Sequence, residues 1–295
     1  MSFIYHFVYS FHMPLFVFIS GYFTRGYQTP RDFITSNVRV LETLIVFQLI
    51  LCILRLYMGE AFSLTMLTVP YWALWYMLSL FWWRLLVNFI NPTKYNNMFC
   101  IIVSLSMCLI AGYIDVTYFV SFQRTFYFFP FFMLGHCLAI DKKDIKKYCM
   151  SLKLSMMILI TALVDFIGIC GVGGVTFKQL LYGAYIYDTS LDMFYPMLVR
   201  LSIILMSYII SLSFLSVCMH IKEKQWLQKI GKSTLFFYIY HTLILTVLKK
   251  VFFVLDIPNS LFFIVLYTLI IVVALYKFSS NIYLIKLLNP ITAKK

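Results

Sequence analysis

Long apolar stretches alternate with short polar and basic segments along the whole chain. Because a hydrocarbon core of about 30 Å needs about 20 apolar residues in a helix, each stretch predicts one membrane-spanning helix. The predicted spans cover approximately residues 3–23, 41–58, 71–90, 98–114, 122–140, 154–170, 193–218, 233–254 and 260–285. The pattern predicts an all-α polytopic bundle of about nine spans, and the last stretch is long enough to tilt or to end in an interfacial segment.

The composition agrees with this pattern. Of 295 residues, 62% are hydrophobic and only 12% are charged, with a mean hydropathy of +0.90. Soluble domains carry about 25% charged residues, so a water-soluble enzyme or a disordered chain is excluded. The seven cysteines stand singly in apolar runs without a CxxC pair. We interpret them as buried, unpaired thiols and predict no metal site.

The basic residues indicate how the chain is oriented. Lys and Arg number 24 against 11 Asp and Glu, a net charge of +13. If the spans alternate, the basic residues collect on one side, in segments 24–40, 91–97, 141–153, 219–232 and 286–295. The opposite segments hold only Lys178, Lys249 and Lys250. The positive-inside rule then predicts a multi-pass protein of the cell membrane with a cytoplasmic C-terminus and residue 1 on the outer side. The charge therefore reports orientation, and no nucleic-acid partner is expected.

The predicted topology places residue 1 on the outer side, yet almost no polar segment precedes the first span. We expect an apolar span to precede residue 1 in the full protein, although a short tail that crosses unaided would also explain the pattern. Residues 1–295 are predicted to form a single membrane domain that is truncated at its N-terminus.

Two histidines lie deep inside predicted spans, where ionisable side chains are costly and mark functional sites. His12 lies near the middle of the first span, two residues before Pro14, which frees a backbone carbonyl. His241 lies about 12 Å from the cytoplasmic end of the eighth span. Each histidine is either a hydrogen-bonded structural residue of the bundle or a catalytic group that faces a cavity.

Two arginines are candidates for binding phosphate groups, which suit the planar guanidinium. Arg39 stands where a basic segment enters the second span, with Glu42 one turn later. Arg84 lies about two turns from the cytoplasmic end of the third span. The competing interpretations are an interfacial anchor for Arg39 and a side chain that snorkels to the interface for Arg84.

Further catalytic patterns are absent from the sequence. The glycines at 171–174 follow no predicted strand, so they do not form a phosphate-binding loop, and neither HExxH nor GxSxG occurs. Arg200, His6 and His136 lie near span ends and are interpreted as interface residues.

Four motifs occur in order along the chain. They are Phe11–Phe16 (FHMPLF) followed by Ile19–Tyr22 (ISGY), Trp72–Met77 (WALWYM) followed by Leu80 and Phe81, Phe128–Gly135 (FFPFFMLG), and Gly231–Leu235 (GKSTL) leading to Tyr238 and His241. Together they resemble the acyltransferase-3 family of integral-membrane acyltransferases, in particular its fucose 4-O-acetylase-like branch. The resemblance covers essentially the whole chain.

The resemblance implies a bundle of about ten spans that moves acyl groups, commonly acetyl from acetyl-CoA, onto sugar hydroxyls of surface or exported glycans. It also implies a catalytic histidine on a span before the FHMPLF helix, which is the span expected upstream of residue 1. A basic RxxR pair of the family falls on Ser36 and Arg39, and Glu42 replaces a frequent proline.

We therefore expect a membrane-bound O-acyltransferase that works within the lipid bilayer on acyl-CoA and a glycan or lipid-linked sugar. His12 and His241 are the expected catalytic residues, and Arg39 and Arg84 are expected to bind acetyl-CoA. A polysaccharide exporter is the competing hypothesis, because intramembrane histidines also relay protons, although no inverted repeat is evident. An inactive remnant of the enzyme and a structural subunit of a glycan-assembly complex would also fit the sequence.

Overall fold

The computed structural model describes residues 2–24, 30–90, 92–116, 119–172, 179–184, 186–188, 193–222, 224–254 and 261–288, with the backbone alone at 2–3, 169–172, 253–254 and 261–262. The chain is 84% helical and these residues contain no strand, so the all-α class is confirmed. The helices form two compact units. Unit 1 comprises residues 1–28 and 82–222, and unit 2 comprises residues 29–81 and 223–295.

The helices have the following bounds. In chain order they are α1 (Ser2–Phe23), α2 (Pro30–Tyr57), α3 (Thr65–Thr68), α4 (Trp75–Ile90), α5 (Asn97–Ile110), α6 (Phe122–Ile140), α7 (Leu152–Val172), α8 (Tyr195–His220), α9 (Gln225–Lys232), α10 (Thr234–Val254), α11 (Leu261–Phe278) and α12 (Ile282–Leu288). Short 3-10 turns lie at Trp72–Leu74, Ala111–Tyr113, Phe119–Ser121 and Ile145–Tyr148.

Each predicted span coincides with helical structure, but the number of membrane crossings is not confirmed as nine. Within the described residues, five helices are long and apolar enough to cross a membrane, and α11 together with α12 makes a sixth candidate. Helix α5 has 14 residues, so it is about 21 Å long and shorter than a hydrocarbon core. Several apolar helices nevertheless fit a membrane protein.

Helix α2 begins earlier than the apolar pattern predicts. It starts at Pro30, so Arg31 and Arg39 lie on a helix and not in the expected basic loop. Proline suits the first helical position because its missing N–H needs no partner there, and Asp32 in the first turn complements the helix dipole. Several predicted features lie outside the described residues, namely residue 1, positions 25–29 and 289–295 of the basic segments, Lys178, and the glycines at 173 and 174.

The last apolar stretch is broken. Helix α11 ends at Phe278, and α12 leaves it at an angle of 97°. Two hydrogen bonds hold α12 within unit 2: the Thr43 hydroxyl donates to the Leu288 carbonyl at 2.9 Å, and the Tyr240 hydroxyl donates to the Leu284 carbonyl at 2.8 Å. Helix α12 is thereby tied to both α2 and α10.

Large apolar side chains remain exposed on the surfaces of the long helices. Ile45 is 57% exposed, Ile53 66% and Leu269 59%, and similar residues occur on α5, α7 and α8. A soluble protein rarely exposes so much contiguous apolar surface, whereas lipid chains cover it at little cost. These surfaces support the membrane location of the helices.

Unit 1 is organised around a very close contact between α1 and α6. A Cβ atom on Gly21 would overlap the carbonyl oxygen of Phe132, and one on Gly135 would overlap the carbonyl oxygen of Phe18. Only glycine lets the two backbones approach this closely, which is how small residues serve helix packing in membranes. Both glycines belong to motifs of the sequence, so the motifs encode this contact.

Arg200, which the sequence places near a span end, is buried within the protein. Its side chain in α8 is only 3% exposed, and its guanidinium donates to the Cys108 carbonyl at 3.0 Å. The same group lies 4.5 Å from the centre of the Tyr187 ring and 5.7 Å from that of Tyr127. A carbonyl and two aromatic faces thus replace part of its hydration.

His6 and His136, which the sequence places near span ends, are also buried within the protein. They are 3% and 4% exposed. His136 in α6 donates its Nδ1–H to the carbonyl of Thr24, at the end of α1, over 2.9 Å. Position along a span did not reveal this burial, because it depends on which neighbouring helix covers the side chain.

Replacing Gly135 by alanine is expected to destabilise the protein by about 1–3 kcal/mol, because the added methyl group meets immobile backbone of α1. The measurement is the unfolding temperature of the purified protein in detergent. Gly168→Ala on α7 is the matched control, since its Cβ would meet nothing within 4 Å. A control variant that is as unstable as Gly135→Ala would contradict the packing argument.

Arg200→Lys is expected to destabilise the protein by about 1.5–3 kcal/mol, because the ammonium ion stays buried but loses the planar stacking and the fork of donors. Arg55→Lys is the control: Arg55 also lies over a tyrosine ring, that of Tyr71 at 4.7 Å, but its side chain is 22% exposed. The control should change stability by less than about 1 kcal/mol. Equal losses in the two variants would show that burial does not distinguish these arginines.

Candidate functional site

His12 occupies the middle of α1 with one ring nitrogen held by its own helix. Its Nδ1 lies 2.8 Å from the carbonyl oxygen of Val8, one turn earlier. A carbonyl can only accept, so Nδ1 carries the hydrogen and Nε2 keeps its lone pair in the neutral ring. The side chain is half-buried. The hydrogen bond that the structure describes for His12 therefore lies within α1, and Nε2 is the nitrogen that can accept a proton.

A stack of tyrosines lies beside His12. The Tyr9 ring meets the His12 ring edge-on, with centroids 4.6 Å apart, and stacks on Tyr5 and Tyr182 at 4.2 and 5.2 Å. The guanidinium of Arg124 lies 4.8 Å from the centre of the Tyr182 ring. Unit 1 thus places a histidine next to an aromatic stack whose far end carries a cation.

His241 has the same local geometry in unit 2. Its Nδ1 donates to the carbonyl of Phe237, one turn earlier in α10, at 2.9 Å, which leaves Nε2 as the basic nitrogen. The imidazole is half-buried. Two aromatic rings flank it, with centroid distances of 6.2 Å to Trp72 and 6.0 Å to Tyr238.

The backbone at Trp72 is strained. Its φ angle is +41°, a left-handed conformation that is uncommon for a bulky residue and costs about 1–3 kcal/mol. The surrounding contacts hold it in place: the Tyr238 hydroxyl donates to the carbonyl of Ala73, and the Tyr76 and Tyr238 rings meet at 5.4 Å. Such strain persists where neighbours enforce it, and it clusters at functional sites. The WALWYM motif therefore presents an indole to His241.

Lys249 completes this group, and the sequence pattern did not connect it with His241. Its Nζ lies 4.5 Å from the centre of the Trp72 ring, although the residue is exposed. One feature of the sequence does set Lys249 apart: it is one of three lysines on the otherwise non-basic side of the predicted topology. Trp72 lies in contact with both His241 and Lys249.

Arg39 is exposed on α2, also in unit 2. Its backbone carbonyl oxygen lies 3.0 Å from the Thr43 hydroxyl, which shares its single hydrogen between this carbonyl and that of Leu288. Glu42, which replaces the family's frequent proline, is 6% exposed, and Asn37 is 4% exposed. Neither polar atom of the Asn37 amide has a hydrogen-bond partner among the described residues. Arg39 is thus exposed on a helix that also buries an amide and a carboxyl group, and its role in binding the donor stays a prediction.

Arg84 is half-buried on the part of α4 that belongs to unit 1. The preceding residue, Trp83, is fully buried and donates its indole N–H to the Thr125 carbonyl at 2.7 Å, which fixes α4 against α6. The predicted residues therefore fall into two pairs. His12 and Arg84 belong to unit 1, and His241 and Arg39 belong to unit 2.

A basic segment follows α6 in unit 1. Lys142, Lys146 and Lys147 are exposed there. Lys143 forms an ion pair with Asp141 at 2.7 Å, and its hydrogen bond lowers the pKa of that carboxyl. The segment from 141 to 147 holds four lysines and two aspartates, so it keeps an excess of positive charge.

No three His, Cys, Asp or Glu side chains come together as a metal site within the ranges that the structure describes. The described cysteines are free thiols, and the side chain of Cys170 lies outside the described residues.

The chain was compared with known proteins. No curated protein matches it, and no solved structure matches it. A model of the acyltransferase-3 family, described as an acyltransferase domain, matches residues 1–278. The fucose 4-O-acetylase-like branch stays a prediction from the motifs. Because the match covers nearly all of the 295 residues, the chain belongs to the acyltransferase-3 family of membrane acyltransferases.

Proposed function

We propose that this protein transfers an acetyl group from acetyl-CoA to a hydroxyl of a glycan or lipid-linked sugar at the cell membrane. Membership of the family supports acyl transfer. The observation that supports a base for the acceptor hydroxyl is His241. Its imidazole is half-buried, its Nε2 is left basic, and the rings of Trp72 and Tyr238 flank it. This is the arrangement that a general base for a sugar hydroxyl needs.

The reaction exchanges a thioester for an oxygen ester. Nε2 of the histidine removes the proton of the sugar hydroxyl while that oxygen attacks the acetyl carbonyl carbon. The new C–O bond forms, the C–S bond breaks, and CoA leaves as a thiolate. The thiolate then takes the proton from the imidazolium, which returns the histidine to its neutral state.

His241 is the first candidate for the base because strained backbone and aromatic rings surround it. His12 is the second candidate, since it has the same hydrogen bond and the Tyr9 ring beside it. The hydrogen bond alone does not mark a catalytic residue: His220 donates to the Ser216 carbonyl at 2.7 Å in the same way, yet lies exposed at the end of α8. What distinguishes His241 and His12 from His220 is that each is half-buried beside aromatic rings.

The donor is proposed to bind through its phosphate groups. Acetyl-CoA is too polar to cross a bilayer, so it approaches from the side with the basic segments, which the topology predicts to be cytoplasmic. Arg39 and Arg84 are the proposed phosphate ligands, because one guanidinium can donate two parallel hydrogen bonds to two phosphate oxygens. The exposed lysines after α6 add long-range attraction for the negatively charged donor.

His241→Gln is expected to lower kcat for acetyl transfer by about 10²- to 10⁴-fold, because glutamine keeps polarity but accepts no proton. The assay follows release of free CoA and ester formation on glycan in membranes that contain the protein. His12→Gln is measured alongside, and His220→Gln is the matched control with unchanged activity expected.

If His12→Gln alone abolishes transfer, His12 is the base. If both variants keep full activity, the site assignment is wrong. Glycan movement without consumption of acetyl-CoA would instead support the exporter hypothesis, because only an acyltransferase breaks the thioester.

Arg39→Gln and Arg84→Gln are each expected to raise KM for acetyl-CoA by about three- to tenfold with little change in kcat, since they remove a charged hydrogen bond to phosphate. Arg31→Gln is the control, because Arg31 is also exposed and lies on the same helix as Arg39. An equal rise in all three variants would indicate a general charge effect and not a phosphate site.

A further inference from the structure

The lysine on the indole of Trp72 has no evident structural purpose. Ion pairs elsewhere in the structure join Arg55 to Glu60 and Lys143 to Asp141. Lys249 contacts no carboxylate within the part of the chain that the structure describes and lies instead on an aromatic face. A cation–π contact attracts the ammonium ion but does not neutralise its charge. Among the described residues, no acidic side chain therefore neutralises the positive charge of Lys249, which lies at an exposed position.

This charge lies close to the proposed base. Lys249 follows His241 by eight residues, about 12 Å along α10, but lysine side chains on a helix lean back toward its N-terminus. The Trp72 ring bridges the remaining distance: its centre is 6.2 Å from the His241 ring and 4.5 Å from Nζ of Lys249. Trp72 is half-buried, so part of the indole is open to a ligand.

An indole beside a cation is well suited to a charged sugar. The apolar C–H face of a sugar ring packs on an aromatic ring, which offers a large rigid surface. A carboxylate or phosphate on that sugar would form a charge-assisted hydrogen bond with the ammonium ion, which is stronger than the cation–π contact that it replaces. A sugar bound on Trp72 would be within reach of both Lys249 and Nε2 of His241.

We propose that Trp72 and Lys249 form the acceptor subsite and that the acceptor carries a negative charge, either a carboxylate on the sugar or a phosphate that links it to a lipid. This inference rests on the proposed acyl transfer at His241. In the predicted topology the Lys249 end of α10 faces outward, away from the basic segments proposed to attract CoA. The two anionic sites of the reaction would then lie toward opposite ends of the membrane-spanning helices.

The test measures binding and transfer separately on the full chain in lipid nanodiscs. Three probes are compared: 4-nitrophenyl β-glucuronide, which carries a carboxylate, the neutral 4-nitrophenyl β-glucoside, and a polyprenyl-phosphate glucose. Equilibrium dialysis gives the dissociation constant of each glycoside, and release of CoA from acetyl-CoA gives KM and kcat. The glucuronide and the lipid phosphate distinguish the two sources of charge.

Lys249→Gln is expected to weaken binding of the preferred anionic probe at least about tenfold and to leave the glucoside within about twofold. Lys249→Arg should restore binding of the anionic probe. Lys250→Gln is the matched control, because Lys250 is the adjacent exposed lysine. In the wild type, raising the ionic strength should weaken binding of the anionic probe and not that of the glucoside.

Equal affinity of the wild type for the charged and neutral probes, or an equal effect of Lys249→Gln on both, overturns the proposal. The proposal is also overturned if neither the glucuronide nor the lipid phosphate binds. Transfer that proceeds with the same KM for charged and neutral sugars supports acyl transfer but overturns the charged acceptor. Binding that depends on Lys249 without any acetyl transfer supports the subsite and overturns the proposed reaction.

Discussion

A polar group inside a membrane must find its hydrogen-bond partner within the protein, and this constraint shapes the chemistry of the helices described here. His12 and His241 both meet it by donating Nδ1–H to the carbonyl one turn earlier. Many hydroxyls do the same, for example Ser20 to Phe16 and Thr246 to Thr242. For serine and threonine the result is only a satisfied donor. For histidine it fixes the tautomer, so the helix itself determines that Nε2 is the basic nitrogen.

The same environment removes the hydrophobic driving force between helices, so shape must hold them together. In unit 1, glycines at the contact of α1 and α6 let the two backbones meet without intervening side chains. Unit 2 relies more on side chains: the Tyr238 hydroxyl on the Ala73 carbonyl and the tyrosine contacts hold the strained turn at Trp72. Strain at Trp72 is therefore maintained by interactions that also place the indole beside His241.

The helices were largely predictable from the apolar pattern, because 20-residue apolar runs have few other stable forms in a membrane. The start of α2 at Pro30 was missed because its first residues are polar, and the pattern of hydropathy does not report a helix that continues into a basic segment. Depth along a span identified His12 and His241 as unusual. It could not show that Arg200, His6 and His136 are buried, since that depends on neighbours distant in sequence.

The candidate site was likewise only partly predictable from the sequence. The sequence identified His241 as a candidate catalytic residue, and the motifs placed Trp72 and His241 in one family pattern. The contact between Lys249 and Trp72 was not predictable, because 177 positions separate the two residues along the chain and only the packing of α10 on the 3-10 turn at Trp72–Leu74 brings them together. Likewise, no spacing rule could assign His12 and Arg84 to one unit and His241 and Arg39 to another.

The short helix α12 has a mechanical consequence for unit 2. Its carbonyls receive hydroxyls from Thr43 and from Tyr240, and these residues belong to the helices that carry Arg39 and His241. The Thr43 hydroxyl also reaches the Arg39 carbonyl itself. Helix α12 is therefore hydrogen-bonded to both of these helices within one helical turn, at Leu284 and Leu288. A displacement of the segment after the 97° bend would act on both helices at once, and these helices carry the proposed base His241 and the proposed phosphate ligand Arg39.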